Sequence, residues 1–355
     1  MSRVSKSYRS RPSFTLVELL IVISIVSVLA SAVLFALNGV MEDAKATRTE
    51  AQIAKLHEMV MARLEGYETR SLRYTLSTGL AVIPMRFDDT NGNGRWDPTP
   101  AETFYPTGGS YESGIARLRL DMLRDLMRME LPDRRSDIAK GPATLYPGYA
   151  APLSSIKVPQ PSLHRGYRQR AKALAGASWP TVWTTGHQGA ECLYLIAASI
   201  RDGDATGIDS FRENEIGDVD ADGMPEILDG WGNPIEFLRW APGFFSEAQS
   251  QSDADPFDPF DTDTRSTYRL VPLIYSAGRD GLYDIFVGFK SGVTPAVESG
   301  DATDPPSDPY ASWVDAATSI AHQLGDSIDA GEGGVLDGQL NDVDNITNHL
   351  LLDAN

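Results

Sequence analysis

The chain has 355 residues, a formal net charge of −18 and a single cysteine. This length allows one large domain or two of ordinary size, with ample material for a core. One cysteine excludes an internal disulfide and a zinc site built from cysteines. The acidic balance argues against a nucleic-acid-binding protein, because phosphate binding needs clustered lysine and arginine.

The N-terminal segment has the pattern of a membrane element. Residues 1–13 contain four basic side chains and no acid, and residues 16–37 are an apolar run in which Glu18 is the one charged side chain. As a helix this run would span about 33 Å, which is enough for the hydrocarbon core of a bilayer. The basic flank predicts that residues 1–13 stay in the cytoplasm and that the rest of the chain is exported.

Glu18 decides between several interpretations of this segment. A cleaved secretory signal peptide has a shorter apolar core than this one, although Ala30-Ser31-Ala32 imitates a cleavage site. A plain membrane anchor fits the length but leaves Glu18 unexplained. A charge inside a membrane segment costs about 2.5–3.5 kcal/mol, so it usually has a partner. The alternative is that Glu18 reaches the cytoplasmic interface and stays hydrated there.

The string 13–20 (SFTLVELL) resembles the start of the type IV prepilin family, which includes the pseudopilins of type II secretion. The resemblance implies that a prepilin peptidase cuts between Ser13 and Phe14 and methylates the new amino terminus at Phe14. It also implies that Glu18, as the fifth mature residue, pairs with the free amine of a neighbouring subunit. The chain departs from the family in one respect, because the residue before the cut is usually glycine and is Ser13 here.

An amphipathic helix is predicted to follow the membrane segment. Ile53, Leu56, Val60 and Leu64 recur at steps of three and four residues and form one apolar stripe, and Gly66 is a stop signal. We therefore predict one helix of about 50 residues, from Phe14 to Glu65, whose second half packs under a globular head. A membrane-proximal coiled-coil stalk is the alternative.

Two acidic loops have the residue order of calcium-binding loops. Both place oxygen side chains at positions 1, 3 and 5 before a glycine and an acid at position 9, and the second adds an acid at position 12. The predicted ligands are Asp89, Asn91, Asn93 and Asp97 in the first loop, and Asp218, Asp220, Asp222, Glu226 and Asp229 in the second. The loops are isolated and resemble dockerin or thrombospondin repeats more than paired EF-hands. Acidic surface turns without an ion are the alternative.

The head is predicted to contain a small antiparallel sheet. Residues 229–237 (DGWGNPIEF) and 268–281 (YRLVPLIYSAGRDG) resemble head segments of the major pseudopilin of type II secretion. Alternation predicts strands at 234–240 and 270–275, with a third at 282–289. Helical spacing is found at 115–129 and at 188–201, and Cys192 in the second of these segments is predicted to be a core thiol.

These features predict an α+β, pilin-like fold in which a long N-terminal helix packs on a small antiparallel sheet. The expected parts are a leader (1–13), a transmembrane helix (14–38), a helix extension (39–66), a head with a helical and loop insertion (67–290), and an acidic tail (291–355) that is flexible or loosely docked.

The expected function is that of a subunit of a type IV pilus or a type II secretion pseudopilus, in the inner membrane with its head exported. Its expected partners are prepilin peptidase and other pilin or pseudopilin subunits, with Ca²⁺ in the head loops. A filament-tip adhesin or binding module and a membrane-anchored envelope protein that never polymerises are the alternatives. The sequence shows no catalytic motif, so no enzyme is predicted.

Overall fold

The structure is a computed structural model of the chain. It describes residues 16–72, 111–143, 145, 157–241, 244, 246–250, 252–260, 262, 268–283, 285, 293–295, 313–315, 321–322 and 344–353. The chain divides into two compact units, Met1–Lys45 and Ala46–Asn355.

Seven α-helices are found in the described residues. They are α1 (Leu16–Glu65), α2 (Tyr111–Glu130), α3 (Arg135–Ala139), α4 (Ser162–Ala175), α5 (Trp179–Val182), α6 (Gln188–Ser199) and α7 (Asn348–Asp353). The predicted long helix is confirmed as α1, which has 50 residues and ends just before Gly66. The helices predicted at 115–129 and 188–201 are confirmed as α2 and α6.

Ten short strands are found in the described residues. They are β1 (Arg201–Asp202), β2 (Ala205–Thr206), β3 (Ile216–Gly217), β4 (Glu226–Ile227), β5 (Glu236–Leu238), β6 (Leu273–Ser276), β7 (Val293–Pro295), β8 (Trp313–Asp315), β9 (Ala321–His322) and β10 (Ile346–Thr347). The central sheet is antiparallel, in the order β10-β6-β5, and the other strands form the sheets β1-β2, β3-β4 and β7-β8-β9. The small antiparallel sheet of the predicted α+β fold is therefore confirmed, and β5 and β6 are two of its predicted strands.

The third strand of the central sheet differs from the prediction. It is β10, from the acidic C-terminal segment, whereas most of 282–289 lies outside the described residues. The Asn348 side chain binds the C-terminal segment to β6 and the residues just before it. Its Oδ1 accepts a hydrogen bond from Ile274 N (2.8 Å), and its Nδ2 donates to Pro272 O (2.9 Å). Residues 344–353 therefore follow the docked alternative for the acidic tail. The acidic composition of the whole segment obscured the stretch 346–352, which has no acidic residue and contains one isoleucine and three leucines.

The first unit contains the apolar part of α1. Among the described residues α1 is the one helix long and apolar enough to cross a membrane. Its apolar side chains are exposed, with Leu16 at 80% and Phe35 at 84% of full exposure. The Ser24, Ser27 and Ser31 hydroxyls donate to carbonyls three or four residues back. These polar groups are thus satisfied within the helix, as an apolar environment requires.

The second unit has its core around the rest of α1. The stripe formed by Ile53, Leu56, Val60 and Leu64 is buried, as the sequence predicts. The same apolar cluster includes side chains from α2, α6, β5 and β6, among them Leu126, Cys192, Ile196, Phe237 and Ile274. The head's own core therefore covers the stripe, which excludes its use as the seam of a coiled-coil stalk. Cys192 is a buried free thiol, and burial raises its pKa.

Helix α6 lies close against β5, and Gly189 is the point of contact. A Cβ at Gly189 would lie 2.6 Å from the Phe237 carbonyl oxygen and 2.8 Å from Glu236 Oε2. The Ala190 amide donates to the same Glu236 oxygen at 3.0 Å. Because the obstruction is mostly backbone, this position admits no side chain.

We expect Gly189→Ala to lower the stability of the head by about 1–3 kcal/mol, because the added methyl group must push α6 away from β5. Thermal unfolding of the full chain in detergent, followed by circular dichroism, measures the change. The control is Gly166→Ala in α4, where a Cβ would meet nothing within 4 Å. That substitution should raise stability by about 0.5–1 kcal/mol, because alanine favours a helix. Equal effects at the two glycines would contradict the close contact.

Candidate functional site

The structure describes some of the predicted site residues and not others. Ser13, Phe14 and the ligands predicted in the first loop lie outside the described residues; those ligands are Asp89, Asn91, Asn93 and Asp97. Glu18 is in the first turn of α1. All five residues of the second loop are described, so its geometry can be compared with the calcium-loop order.

The second loop joins two antiparallel strands and has no helix on either side. It connects β3 to β4, with Gly217 paired to Glu226. Gly223 has φ +95°, a left-handed conformation in which glycine is favoured. The loop order of the sequence therefore occurs in a β-hairpin, outside the helix–loop–helix setting of an EF-hand.

Two of the predicted ligands hold the loop in shape. Both oxygens of Asp218 accept backbone N–H groups, from Asp222 (3.1 Å) and Gly223 (3.0 Å). Asp222 accepts from Met224 N (2.9 Å) and from Thr184 N (2.5 Å), in the segment before α6. Asp218, Asp220 and Asp222 offer oxygens within 4.8 Å of one another. All four oxygens of Asp218 and Asp222 are nevertheless already in use by the backbone.

The structure does not bring Asp229 to the other predicted ligands. Its Oδ1 accepts hydrogen bonds from the Trp231, Gly232 and Asn233 amides at 2.8–2.9 Å. Its Oδ2 accepts from the Ser276 hydroxyl of β6 at 2.6 Å. Asp229 therefore forms the turn after β4 and ties that turn to the central sheet.

The structure instead groups a buried glutamate with the loop. Glu191 of α6, Asp220 of the loop and Glu226 of β4 offer carboxylate oxygens within 4.8 Å of one another. We call these three residues the carboxylate triad. Glu191 and Glu226 are fully buried and Asp220 is half-buried. The triad thus joins three separate elements at one point.

Each carboxylate of the triad has one engaged oxygen and one free oxygen. Glu191 Oε2 accepts from the Trp183 indole N–H, Asp220 Oδ2 from the Thr184 hydroxyl, and Glu226 Oε2 from Val219 N at 3.0 Å. The second oxygens are Glu191 Oε1, Asp220 Oδ1 and Glu226 Oε1, and these three buried atoms accept no hydrogen bond from any described residue. Buried polar atoms of this kind are rare and call for a ligand or another explanation.

The electrostatics of the triad reflect buried negative charge. Burial raises the pKa of Glu191 to about 10, and the charges of Asp222 and Asp220 and a side-chain hydrogen bond with Asp222 add to that effect. Burial also raises the pKa of Glu226 to about 7, again with a contribution from Asp220. Because both carboxyls are poor places for an uncompensated negative charge, the ionised triad needs a nearby positive charge.

Three buried carboxylates elsewhere in the head have such a charge. Arg128 lies 2.8 Å from Asp125, Arg239 lies 2.8 Å from Asp137, and Arg48 lies 2.8 Å from Glu215. Within the part of the chain that the structure describes, no lysine, arginine or histidine forms an ion pair with a member of the triad. The charge of His187 lowers the pKa of Glu226, but the His187 ring is hydrogen-bonded to Glu236 at 2.8 Å.

Glu191 is the site residue that the sequence did not predict. It is the one charged side chain in the otherwise apolar or neutral helix α6. A buried acid in such a helix is a signal in itself, because its burial is costly. The loop order describes ligands that follow one another along the chain, so it has no position for a residue from another element.

Comparison with family models identifies the N-terminal segment. Residues 9–34 match the model described as a prokaryotic N-terminal methylation motif, and this range contains Ser13, Phe14 and Glu18. Comparison with curated proteins found no match, and comparison with solved structures found none either. The chain carries a prepilin-type methylation motif, which is consistent with the family of type IV pilins and pseudopilins.

Proposed function

We propose that this protein is a structural subunit of a type IV pilus or a type II secretion pseudopilus. The observation that carries the proposal is the methylation motif at residues 9–34, which overlaps the start of the exposed apolar helix α1. On this proposal a prepilin peptidase cuts between Ser13 and Phe14 and methylates Phe14. The subunit is a substrate of that enzyme and has a structural role of its own.

The surface of α1 supports assembly through this helix. Apolar side chains on all of its faces between Leu16 and Met41 are at least half exposed. An apolar surface of this length is stable in lipid or against other apolar helices. The same segment would thus anchor the precursor in the inner membrane and pack against other subunits in the filament, with the head exported.

Glu18 gives this packing a defined register. A carboxylate among apolar side chains costs about 2.5–3.5 kcal/mol in a membrane, so a compensating charge is favoured. Cleavage at the motif creates a new amine at Phe14, four residues before Glu18. Within one helix that amine and Glu18 are about one turn apart, and pairing with the amine of a neighbouring subunit would set the stagger between the helices.

The mature N-terminus tests the processing step. We expect mass spectrometry of the protein from cells with an active prepilin peptidase to show a chain that starts at N-methylated Phe14. In cells without that peptidase the chain should start at Met1 or Ser2. A mature start near Ala32 would identify a secretory signal peptide instead and would overturn the proposal.

Glu18→Ala tests the assembly step. Loss of the carboxylate leaves the Phe14 amine without its partner, so we expect incorporation into sheared filaments to fall by more than about tenfold. Immunoblots of the filament and membrane fractions measure this ratio. Glu50→Ala is the matched control, because Glu50 is exposed on the same helix and lies within the second unit. Unchanged incorporation of Glu18→Ala would favour a membrane-anchored protein that does not polymerise.

A further inference from the structure

We infer that Glu191, Asp220 and Glu226 bind a divalent cation, with calcium as the favoured ion, and that this ion ties α6 to the β3–β4 hairpin. The proposal concerns the head alone and does not depend on processing or filament assembly. Asp220 and Glu226 are ligands that the loop order also predicts, whereas Glu191 is a new ligand from a different element.

The unengaged oxygens are the first argument. Three carboxylates in proximity would be an ordinary acidic cluster if their oxygens were hydrated or hydrogen-bonded. Here one oxygen of each residue is buried and accepts no hydrogen bond from the described residues, and two of the side chains are fully buried. The engaged oxygens of all three residues are fixed by hydrogen bonds from Trp183, Val219 and Thr184. This division, with one oxygen held and the other open, is typical of carboxylates positioned for an ion.

The spacing is the second argument. Calcium–oxygen distances are about 2.4 Å, so two ligands on opposite sides of one ion are about 4.8 Å apart. One carboxylate oxygen of each triad residue lies within 4.8 Å of one oxygen of each of the other two. The triad therefore meets the upper limit on separation for ligands that share one ion. An all-oxygen donor set is suited to calcium, magnesium or manganese, and the flexible geometry of calcium suits ligands that come from a helix, a loop and a strand.

The surrounding charges are the third argument. Three other buried carboxylates of the head, Asp125, Asp137 and Glu215, have arginine partners, whereas the triad has no ion-pair partner in the described part of the chain. A divalent cation would supply the missing charge and would favour the ionised state of groups that burial otherwise keeps protonated.

The proposal gives the other predicted ligands different roles. Asp218 and Asp222 are positioning residues, since their oxygens hold the hairpin loop that presents Asp220. Asp229 is a turn residue whose carboxylate accepts hydrogen bonds from three backbone amides and one hydroxyl. The structural arrangement and the loop order therefore make opposite predictions for Glu191 and Asp229.

Calcium titration of Glu191 and Asp229 variants distinguishes these two predictions. The full chain in detergent is stripped with EDTA, and calcium chloride alone is then added while binding heat and thermal unfolding are recorded. For the wild type we expect calcium to raise the melting temperature, because it binds the folded state. Glu191→Gln should lose one equivalent of binding at this site, with affinity lowered by more than about tenfold. Asp229→Asn keeps an oxygen for the turn amides and should retain that equivalent.

The melting temperatures of the calcium-free proteins provide a further comparison between ion binding and a purely structural role of Glu191. Glu191→Gln removes a buried carboxyl while keeping its shape, so its melting temperature without calcium should equal or exceed that of the wild type. If Glu191 served only to accept the Trp183 hydrogen bond, glutamine would accept that bond through its own carbonyl oxygen, and calcium would raise the melting temperatures of the wild type and of Glu191→Gln by the same amount. That result would overturn the proposal.

Terbium gives a second measurement on the same variants. Tb³⁺ replaces calcium and emits when a nearby indole is excited, and Trp183 is hydrogen-bonded to Glu191. We expect calcium-competed terbium emission from the wild type and a reduced signal from Glu191→Gln. Asp220→Asn, in the half-buried loop position, should show the same reduction, and it serves if Glu191→Gln fails to fold. Full binding by both variants, or no calcium effect on the wild type, would overturn the proposal.

Discussion

The head depends on the packing of α2, α6 and the central sheet around the second half of α1. The buried stripe supplies the apolar part of this contact, and polar side chains on the same half of the helix add specific bonds. Gln52 donates to the Leu228 carbonyl at 3.1 Å, and Thr49 accepts from the Gly230 amide at 2.9 Å. These bonds fix the chain just after β4, where the Asp229 turn begins. The helix thereby determines where the β3–β4 hairpin, and with it the carboxylate triad, can lie.

The sequence predicted the elements whose signals are local. Helix α1 and its stripe follow from composition and from a period near 3.6, and β5 and β6 follow from alternation. The loop at 218–229 was located because its glycine and alternate acids stand close together in the chain. In each case the residues that carry the signal are neighbours in sequence, so no knowledge of the tertiary structure was needed.

The features that the sequence did not predict are non-local. Strand β10 joins the central sheet next to β6, about 70 residues earlier in the chain, and Asn348 fastens it through bonds that no sequence period encodes. Glu191 meets the loop because α6 packs on β4 and β5. Asp229 fits the calcium order by position, yet the following glycine-rich segment offers three amides, and the carboxylate bonds to those instead. Local hydrogen bonding thus competes with ligand roles, and spacing alone cannot decide between them.

Glu18 and the triad present the same physical problem in two places. Each places carboxylate charge among apolar or buried groups, and in each case the proposed partner is a cation that the folded monomer does not itself contain. For Glu18 that partner is the amine of another subunit, and for Glu191 it is a divalent ion. A chain with one cysteine has no internal disulfide that could stabilise the head after the proposed export. A bound cation serves that purpose by stabilising only the folded state, and its effect depends on the concentration of the ion outside the cytoplasm. The head would then reach full stability after export, and Glu18 would pair with the amine of a neighbouring subunit on assembly.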